Sequence, residues 1–163
     1  MEPNESASIA PPAEMPRGRF NGRLDDKARL KLPTAFAQHF NSLAERKLFL
    51  TSLDRHTASL YPIAEWRVNE KFFDSHHENP EAAEIILFNA QDLGGDVEMD
   101  SQNRITFHPE LRRELGLENT ELHLIAVKGH VEIMTDAKYQ ETRQRSVETT
   151  AAHLTAMKKA GLR

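Results

Sequence analysis

An internal repeat limits the fold of this chain more than any other feature of its sequence. Asp25 and Arg29 recur as Asp100 and Arg104, at an offset of 75 residues for both. Around these pairs apolar positions match apolar positions, and the offset later falls to 74 and then 73 where loops are expected. The sequence therefore predicts two copies of one supersecondary unit.

Each copy has the same predicted order of elements. A strand (18–24 or 94–99) leads into a turn that begins with an aspartate, whose side chain can accept a backbone hydrogen bond two residues later. A second strand (29–32 or 104–107) alternates polar and apolar residues. Pro33 and Pro109 stand at the first turn of a short helix, where a missing N–H costs nothing. The remaining predicted helices and strands are 34–40, 47–52 and 57–61 in the first copy and 109–115, 121–127 and 130–134 in the second.

The rest of the chain divides into a tail, a linker and a terminal helix. The tail has four prolines, three glutamates and one large aliphatic residue, a composition typical of disorder. Two helical stretches, 63–73 and 80–90, join the copies, and an amphipathic helix begins at Asp136 that would dock on its own chain or on a neighbouring subunit. The predicted divisions are a tail (1–16), a first motif (17–66), a linker (67–92), a second motif (93–139) and a C-terminal helix (140–163).

Composition excludes several classes of protein. The chain has no cysteine, so it has neither disulfides nor thiolate metal sites. No stretch approaches the roughly 18 apolar residues of a membrane span. The first residues lack the basic and apolar regions of a signal peptide, and we expect a cytoplasmic protein without a membrane partner.

Positive charge is concentrated in one short segment, although the net charge of the chain is −4. Six basic and two acidic residues lie between positions 17 and 31, a local charge of +4, whereas the matching window 95–113 has a charge of −1. The basic residues are Arg17, Arg19, Arg23, Lys27, Arg29 and Lys31. Their odd-numbered spacing predicts one basic face on a two-stranded ribbon, a form suited to DNA, although a solvated charged face is the simpler alternative.

Catalytic and metal-binding patterns are lacking in the sequence. It has no G-x-S-x-G and no glycine-rich phosphate loop, and Gly94-Gly95 is interpreted as a strand start. His76-His77-Glu78 fits no metal-binding spacing and is predicted to be a loop between helices, and His56 and His130 are predicted to be turn residues. We therefore expect no catalytic residues, no metal, no cofactor and no small-molecule substrate.

Two segments of the sequence resemble the MraZ family: MPRGRFNGRLDDKARLKLPTAFAQHF and GGDVEMDSQNRITFHPELRRELGL. The resemblance runs from about Met15 to Tyr139 and includes LYPIAEW after the first copy. It implies an α+β fold with tandem SpoVT-AbrB type motifs, in which swapped hairpins form a β-barrel and one chain is a pseudo-dimer. It also implies a regulator, located at the nucleoid, of the division and cell-wall gene cluster and its own operon. Such a regulator binds G-rich direct repeats in double-stranded promoter DNA as a ring-like homo-oligomer.

This chain departs from the family pattern at two kinds of position. Ala28 and Asn103 precede the motif arginines where the family usually has glycine, and His108 replaces the first of two prolines. Glycine there suggests a positive φ, which asparagine tolerates better than alanine. The first turn is therefore predicted to differ in geometry or to carry strain.

The two motif arginines are predicted to have different roles. Both are candidate DNA-binding residues. Arg29 lies among basic residues and is expected to contact DNA strongly, whereas Arg104 lies in a window of slightly negative charge and is expected to contribute less to DNA binding and mainly to pair with Asp100. Asp25, Asp100, Pro33 and Pro109 are predicted to shape the motif turns. Two alternatives stay open: an antitoxin-like interaction module with the same fold and no DNA target, and a hydrolase using His76 or His77.

Overall fold

The computed structural model describes Pro11 and residues 13–163, which contain five helices and eight strands. The first copy comprises β1 (Arg19–Gly22), β2 (Arg29–Lys31), α1 (Thr34–Asn41), β3 (Leu48–Thr51) and β4 (Ala58–Pro62). The helices α2 (Ile63–Ser75) and α3 (Pro80–Leu93) follow it. The second copy comprises β5 (Gly95–Val97), β6 (Arg104–Thr106), α4 (Pro109–Leu115), β7 (Leu122–Val127) and β8 (His130–Thr135), and α5 (Asp136–Lys159) ends the fold. The predicted order of elements is confirmed.

The two copies exchange strands. β1 pairs with β7 and β5 pairs with β3, which gives an antiparallel sheet of order β1-β7-β8-β4-β3-β5. β2 and β6 pair with each other as a separate two-stranded ribbon, in which Leu30 lies opposite its repeat counterpart Ile105. Each copy thus completes the other, and the predicted pseudo-dimer within one chain is confirmed.

Two predicted details of the sheets are wrong. Among the described residues the strands do not close a barrel, because β1 and β5 remain the edges of the six-stranded sheet. β1 and β2 also do not form one ribbon, since each takes its partner from the second copy and only an isolated bridge between Leu24 and Leu30 joins them. Pairing across the copies replaces pairing within the hairpin.

The core joins both copies. Leu30 and Ile105 of the ribbon are fully buried, together with Phe36 of α1 and Leu111 of α4. A second cluster lies beneath α2, where Trp66 packs against Phe49 and Tyr61 with ring centroids 4.5 and 5.2 Å away. The ribbon therefore has one face held in the core and one face directed outward.

The predicted tail is described only in part. Residues 1–10 and residue 12 lie outside the described residues. The amide of Ala13 donates to Ser42 Oγ at 2.9 Å, and Met15 packs half-buried against the core. In the described part of the chain, no helix is both long and apolar enough to cross a membrane.

Candidate nucleic-acid interface

An aspartate and an arginine close each motif turn in the same way. In the first copy, Asp25 Oδ1 accepts from the amides of Lys27 and Arg29, both at 2.9 Å. Asp25 Oδ2 accepts from Arg29 Nε at 2.8 Å, and the amide of Asp25 donates to the Arg29 carbonyl at 2.9 Å. The arginine is therefore fixed to its turn through both its backbone and its side chain.

The second turn repeats this arrangement. Asp100 Oδ1 accepts from the amides of Gln102 and Arg104 at 2.9 Å, and Asp100 Oδ2 accepts from Arg104 Nε at 2.7 Å. The arginine side chains are equally exposed in the two turns, at 25%. Pairing with an aspartate therefore does not distinguish the role of Arg104 from that of Arg29.

Both turns place the residue before the arginine in the left-handed region. Ala28 has φ of 59° and Asn103 has φ of 61°, so the substitution of alanine leaves the turn geometry unchanged. An L-residue with a Cβ is disfavoured there by roughly 1–2 kcal/mol. The prediction that the first turn differs in geometry is wrong. The alanine instead strains the backbone at position 28.

The hydrogen bonds also favour the charged form of each aspartate. The Arg29 amide, and then its guanidinium, lower the pKa of the Asp25 carboxyl below the ordinary value, and burial acts in the opposite direction. The Arg104 amide and guanidinium lower the pKa of Asp100 in the same manner. Both ion pairs are therefore intact at neutral pH.

The ribbon brings three cations from both copies to one surface. Because side chains alternate along a strand, Arg29 and Lys31 lie on the face opposite the buried Leu30. Lys31 lies directly opposite Arg104 across the ribbon, and Arg29 lies opposite Thr106. We call these four residues the ribbon face: Arg29, Lys31, Arg104 and Thr106. Among the described residues, only Nε of each arginine is hydrogen-bonded, and the terminal Nη groups are not.

The other predicted cations do not share this face. Arg17 and Arg23 are exposed outside the strands, and Lys27 lies in the first turn. Arg19 belongs to β1 in the six-stranded sheet. The prediction of one continuous basic face from position 17 to 31 is wrong, because the Asp25 turn interrupts the alternation and β2 then joins a different sheet.

Arg19 instead contacts a polar cluster that the sequence did not predict. Arg19 Nη1 donates to His123 Nδ1 at 2.8 Å and its guanidinium lies 4.6 Å from the Tyr139 ring centroid. His123 Nε2 donates to Asp136 Oδ1 at 2.7 Å, and this hydrogen bond lowers the pKa of Asp136. Donor atoms of Glu121, His123 and Asp136 lie within 4.8 Å of one another, but both ring nitrogens are occupied and Arg19 adds positive charge. The cluster is therefore a poor cation site and joins β1, β7 and α5.

The remaining prolines and histidines considered above lie at helix starts, in loops and in a strand. Pro33 precedes α1 and Pro109 is the first residue of α4, as expected. Residues 76–78 lie in the loop between α2 and α3, and His56 lies in a turn, also as expected. His130 is not a turn residue, because it begins β8 and stacks on Tyr61 with centroids 4.4 Å apart.

Comparison with known proteins finds relatives along most of the chain. The transcriptional regulator MraZ of Solidesulfovibrio magneticus is 31% identical over 154 residues, which cover 90% of this chain and 96% of that protein. The chain belongs to the MraZ family. MraZ of Koribacter versatilis is 33% identical over 130 residues, 78% of this chain and 80% of that protein. MraZ of Acidobacterium capsulatum is 29% identical over 129 residues, which cover 78% of this chain and 87% of that protein.

These MraZ relatives are named transcriptional regulators and not enzymes. The prediction that the chain has no enzymatic activity is thereby confirmed, and the hydrolase alternative is set aside. No family model matches the chain.

Proposed function

We propose that the chain regulates transcription by placing the ribbon face against promoter DNA. The observation that supports this most is the pair of anchored arginines on one exposed ribbon. A two-stranded ribbon fits the major groove of B-DNA, which is about 12 Å wide. The ribbon presents Arg29 and Arg104 from opposite strands, with their Nη groups available to DNA.

Anchoring through Nε suits an arginine that reads a base edge. The Asp25 and Asp100 carboxylates fix the plane of each guanidinium and leave two Nη donors on its far edge. Two such donors match the O6 and N7 acceptors of guanine. Because the side chain is ordered before binding, less conformational entropy is lost when the contact forms.

Other cations would supply contacts with phosphates. Lys31 shares the ribbon face, and Lys27, Arg23 and Arg17 are exposed beside it in the sequence. Arg19 reaches DNA only by leaving His123 and Tyr139, so we rank it below the others. Neutralised phosphates make affinity fall with salt concentration.

The target and the assembly follow from the family resemblance. We propose that G-rich direct repeats are bound in the promoter of its own operon, within a division and cell-wall gene cluster, by a ring-like homo-oligomer at the nucleoid. Guanine-rich repeats agree with two guanine-reading arginines. A ring raises the apparent affinity for several repeats through effective concentration, provided that their spacing matches the subunits.

A titration of the chain with its own upstream DNA, across 50–200 mM salt, tests this proposal. We expect affinity to fall steeply with salt, the slope to decrease by about one for Lys31→Ala, and several repeats to bind far better than one. Arg67→Ala on α2, where Arg67 pairs with Glu45, is a control of equal charge change. Equal affinity for a shuffled sequence, or no salt dependence, contradicts the proposal and favours the antitoxin-like alternative.

A further inference from the structure

Within the described part of the chain, only the first turns of α5 are partly buried against the rest of the fold. From Arg143 onward every residue is exposed, and Val147 and Leu154 are 63% and 43% exposed. Val147, Ala151 and Leu154 share one helix face, which we call the apolar stripe, and Lys158 continues this face. A helix without tertiary contacts is only marginally stable in water. The outer part of α5 would therefore be stabilised by packing against a partner.

In the first copy, the corresponding helix has a packing partner. α2 is the counterpart of α5 in the repeat, since Trp66 matches Tyr139. α3 packs beside α2, and both helices contact the sheet. Within the described residues no helix has the same relation to α5. The second copy thus lacks the helical neighbour that the first copy has.

An apolar groove of about 620 Å³ lies between α2 and α3. Val68 and Phe72 line its α2 side, and Ala82 and Ile86 line its α3 side. Val68 is 61% and Phe72 is 52% exposed, so the two side chains form an apolar patch that is open to solvent. Contiguous exposed apolar patches are typical of interaction sites. Along α2 the lining of the groove runs from Glu65 to Phe73, eight residue steps or about 12 Å, which accommodates the seven steps from Val147 to Leu154 on α5.

The helical segments that carry the two surfaces have opposite net charge. Residues 63–93, which form α2, α3 and their loop, contain seven acidic and two basic residues, a net charge of −5. Residues 140–163 contain two acidic and five basic residues, a net charge of +3. Opposite charges around complementary apolar surfaces favour association and select its partner.

We propose that the apolar stripe of α5 docks in the α2–α3 groove of a second copy of this chain. α5 does not occupy the groove of its own chain, since all its residues from Arg143 onward are exposed and none of them lines the groove. The inference rests on the proposed function, since it names the contact that joins chains in the proposed ring.

The geometry of this contact has a consequence for assembly. Helix and groove are different surfaces, so every chain that donates its helix still offers a groove. Such head-to-tail contacts repeat until they close into a ring or extend as a filament. A two-fold dimer would need the same surface on both chains.

Charged substitutions on each surface test the proposal by molar mass in sedimentation velocity. We expect Leu154→Glu on the stripe and Val68→Glu in the groove each to reduce a multi-subunit assembly to the monomer. Both side chains are exposed, so the fold survives. Ala152→Glu, on another face of α5, and Ile85→Glu, on α3 away from the groove, add the same charge and keep the assembly.

Mixing the two monomeric variants gives the sharpest result. Val68→Glu retains its helix and Leu154→Glu retains its groove, so one contact remains possible between them. We expect an equimolar mixture to form a dimer of one chain each and nothing larger. A monomeric wild-type chain, unchanged mass in either variant, or no dimer in the mixture overturns the proposal.

Binding to a single operator repeat separates this inference from the proposed function. Both monomeric variants are expected to bind one repeat with the affinity of a single wild-type chain. If the variants form their dimer but neither they nor the wild type bind the promoter, the proposed function fails and the helix–groove contact stands. If they bind DNA but assembly is unaffected, only the contact is wrong.

Discussion

The two copies of the repeat have the same turns and different surroundings. Asp25–Arg29 and Asp100–Arg104 make matching hydrogen bonds, and both turns reach a positive φ at the same place. The helices that follow the copies differ. α2 contacts α3 and encloses an aromatic cluster, whereas α5 leaves the body after its first turns.

The comparison shows that the turns are determined by local residues, whereas the packing of the helices is determined by distant ones. A turn closed by its own aspartate is determined locally, so two diverged sequences keep the same geometry. Helix packing depends on what the rest of the chain supplies, and within the described residues α3 packs beside α2 whereas no helix packs beside α5 in this way. The copies are therefore equivalent in the geometry of their motif turns and unequal where the helices pack.

The largest expected effect concerns the aromatic residues at the starts of α2 and α5. Trp66 is 3% exposed and packs against Phe49 and Tyr61, so Trp66→Ala is expected to lower the free energy of unfolding by about 3–5 kcal/mol. Tyr139 is half-buried and stacks on His123, and Tyr139→Ala is expected to cost about 1–2 kcal/mol. Urea denaturation measures both. Equal losses would mean that the second copy packs its helix as fully as the first.

The next effect concerns the motif arginines. Local charge favours Arg29 as the DNA contact, whereas the ribbon geometry places Arg104 equally well. We expect Arg29→Ala and Arg104→Ala each to weaken promoter binding by about 1–3 kcal/mol, because each removes a bidentate donor. Fluorescence anisotropy measures the affinities, and thermal unfolding verifies the fold. Intact binding by Arg104→Ala would assign DNA to the first copy alone.

A smaller effect is expected at the residue before each arginine. Ala28→Gly should raise the free energy of unfolding by about 0.5–1 kcal/mol, because glycine tolerates φ near 59° without strain. Asn103→Gly should change it by only a few tenths of a kcal/mol, since asparagine adopts this conformation readily. Chemical denaturation of the two variants measures both changes in the free energy of unfolding. A gain at position 103 but not at 28 would show that alanine is not strained.

The smallest effect concerns pH. Because folding lowers the pKa values of Asp25 and Asp100, the folded state binds their protons less readily than the unfolded state. Their contribution to stability is therefore present above the ordinary aspartate pKa of about 3.9 and is lost as pH falls through the lower folded values. Asp25→Asn and Asp100→Asn should each reduce stability slightly at pH 7 and flatten its loss on acidification. Denaturant midpoints at pH 7, 5, 4 and 3 test whether the two turns respond alike.

Local features of the fold could be predicted from the sequence. Turn chemistry at Asp25 and Asp100, proline at the helix starts and alternating apolar residues indicated nearly every element. Strand partners could not be predicted from these patterns, because β1 finds its partner about 100 residues later. The exchange of strands was expected only through the family resemblance.

The candidate site was predicted in composition but not in arrangement. Counting charge along positions 17–31 identified Arg29 and Lys31 but assigned Arg104 to a weakly charged window. The ribbon then placed Arg104 directly opposite Lys31. A count along the chain cannot include cations that another strand brings close, and for the same reason it missed the contact of Arg19 with His123 and Tyr139.

The exchanged strands also bear on how the protein is made. β1 and β2 leave the ribosome long before β7 and β6, since Gly22 pairs with Leu122 and Leu30 with Ile105. At a synthesis rate of about 5–20 residues per second, β1 waits roughly 5–20 s for its partner. During that interval the nascent first copy has unpaired strand edges and an unfinished core. A transcript that ends between the copies therefore yields a polypeptide with half of a ribbon, and the ribbon face is complete only once translation has passed residue 106.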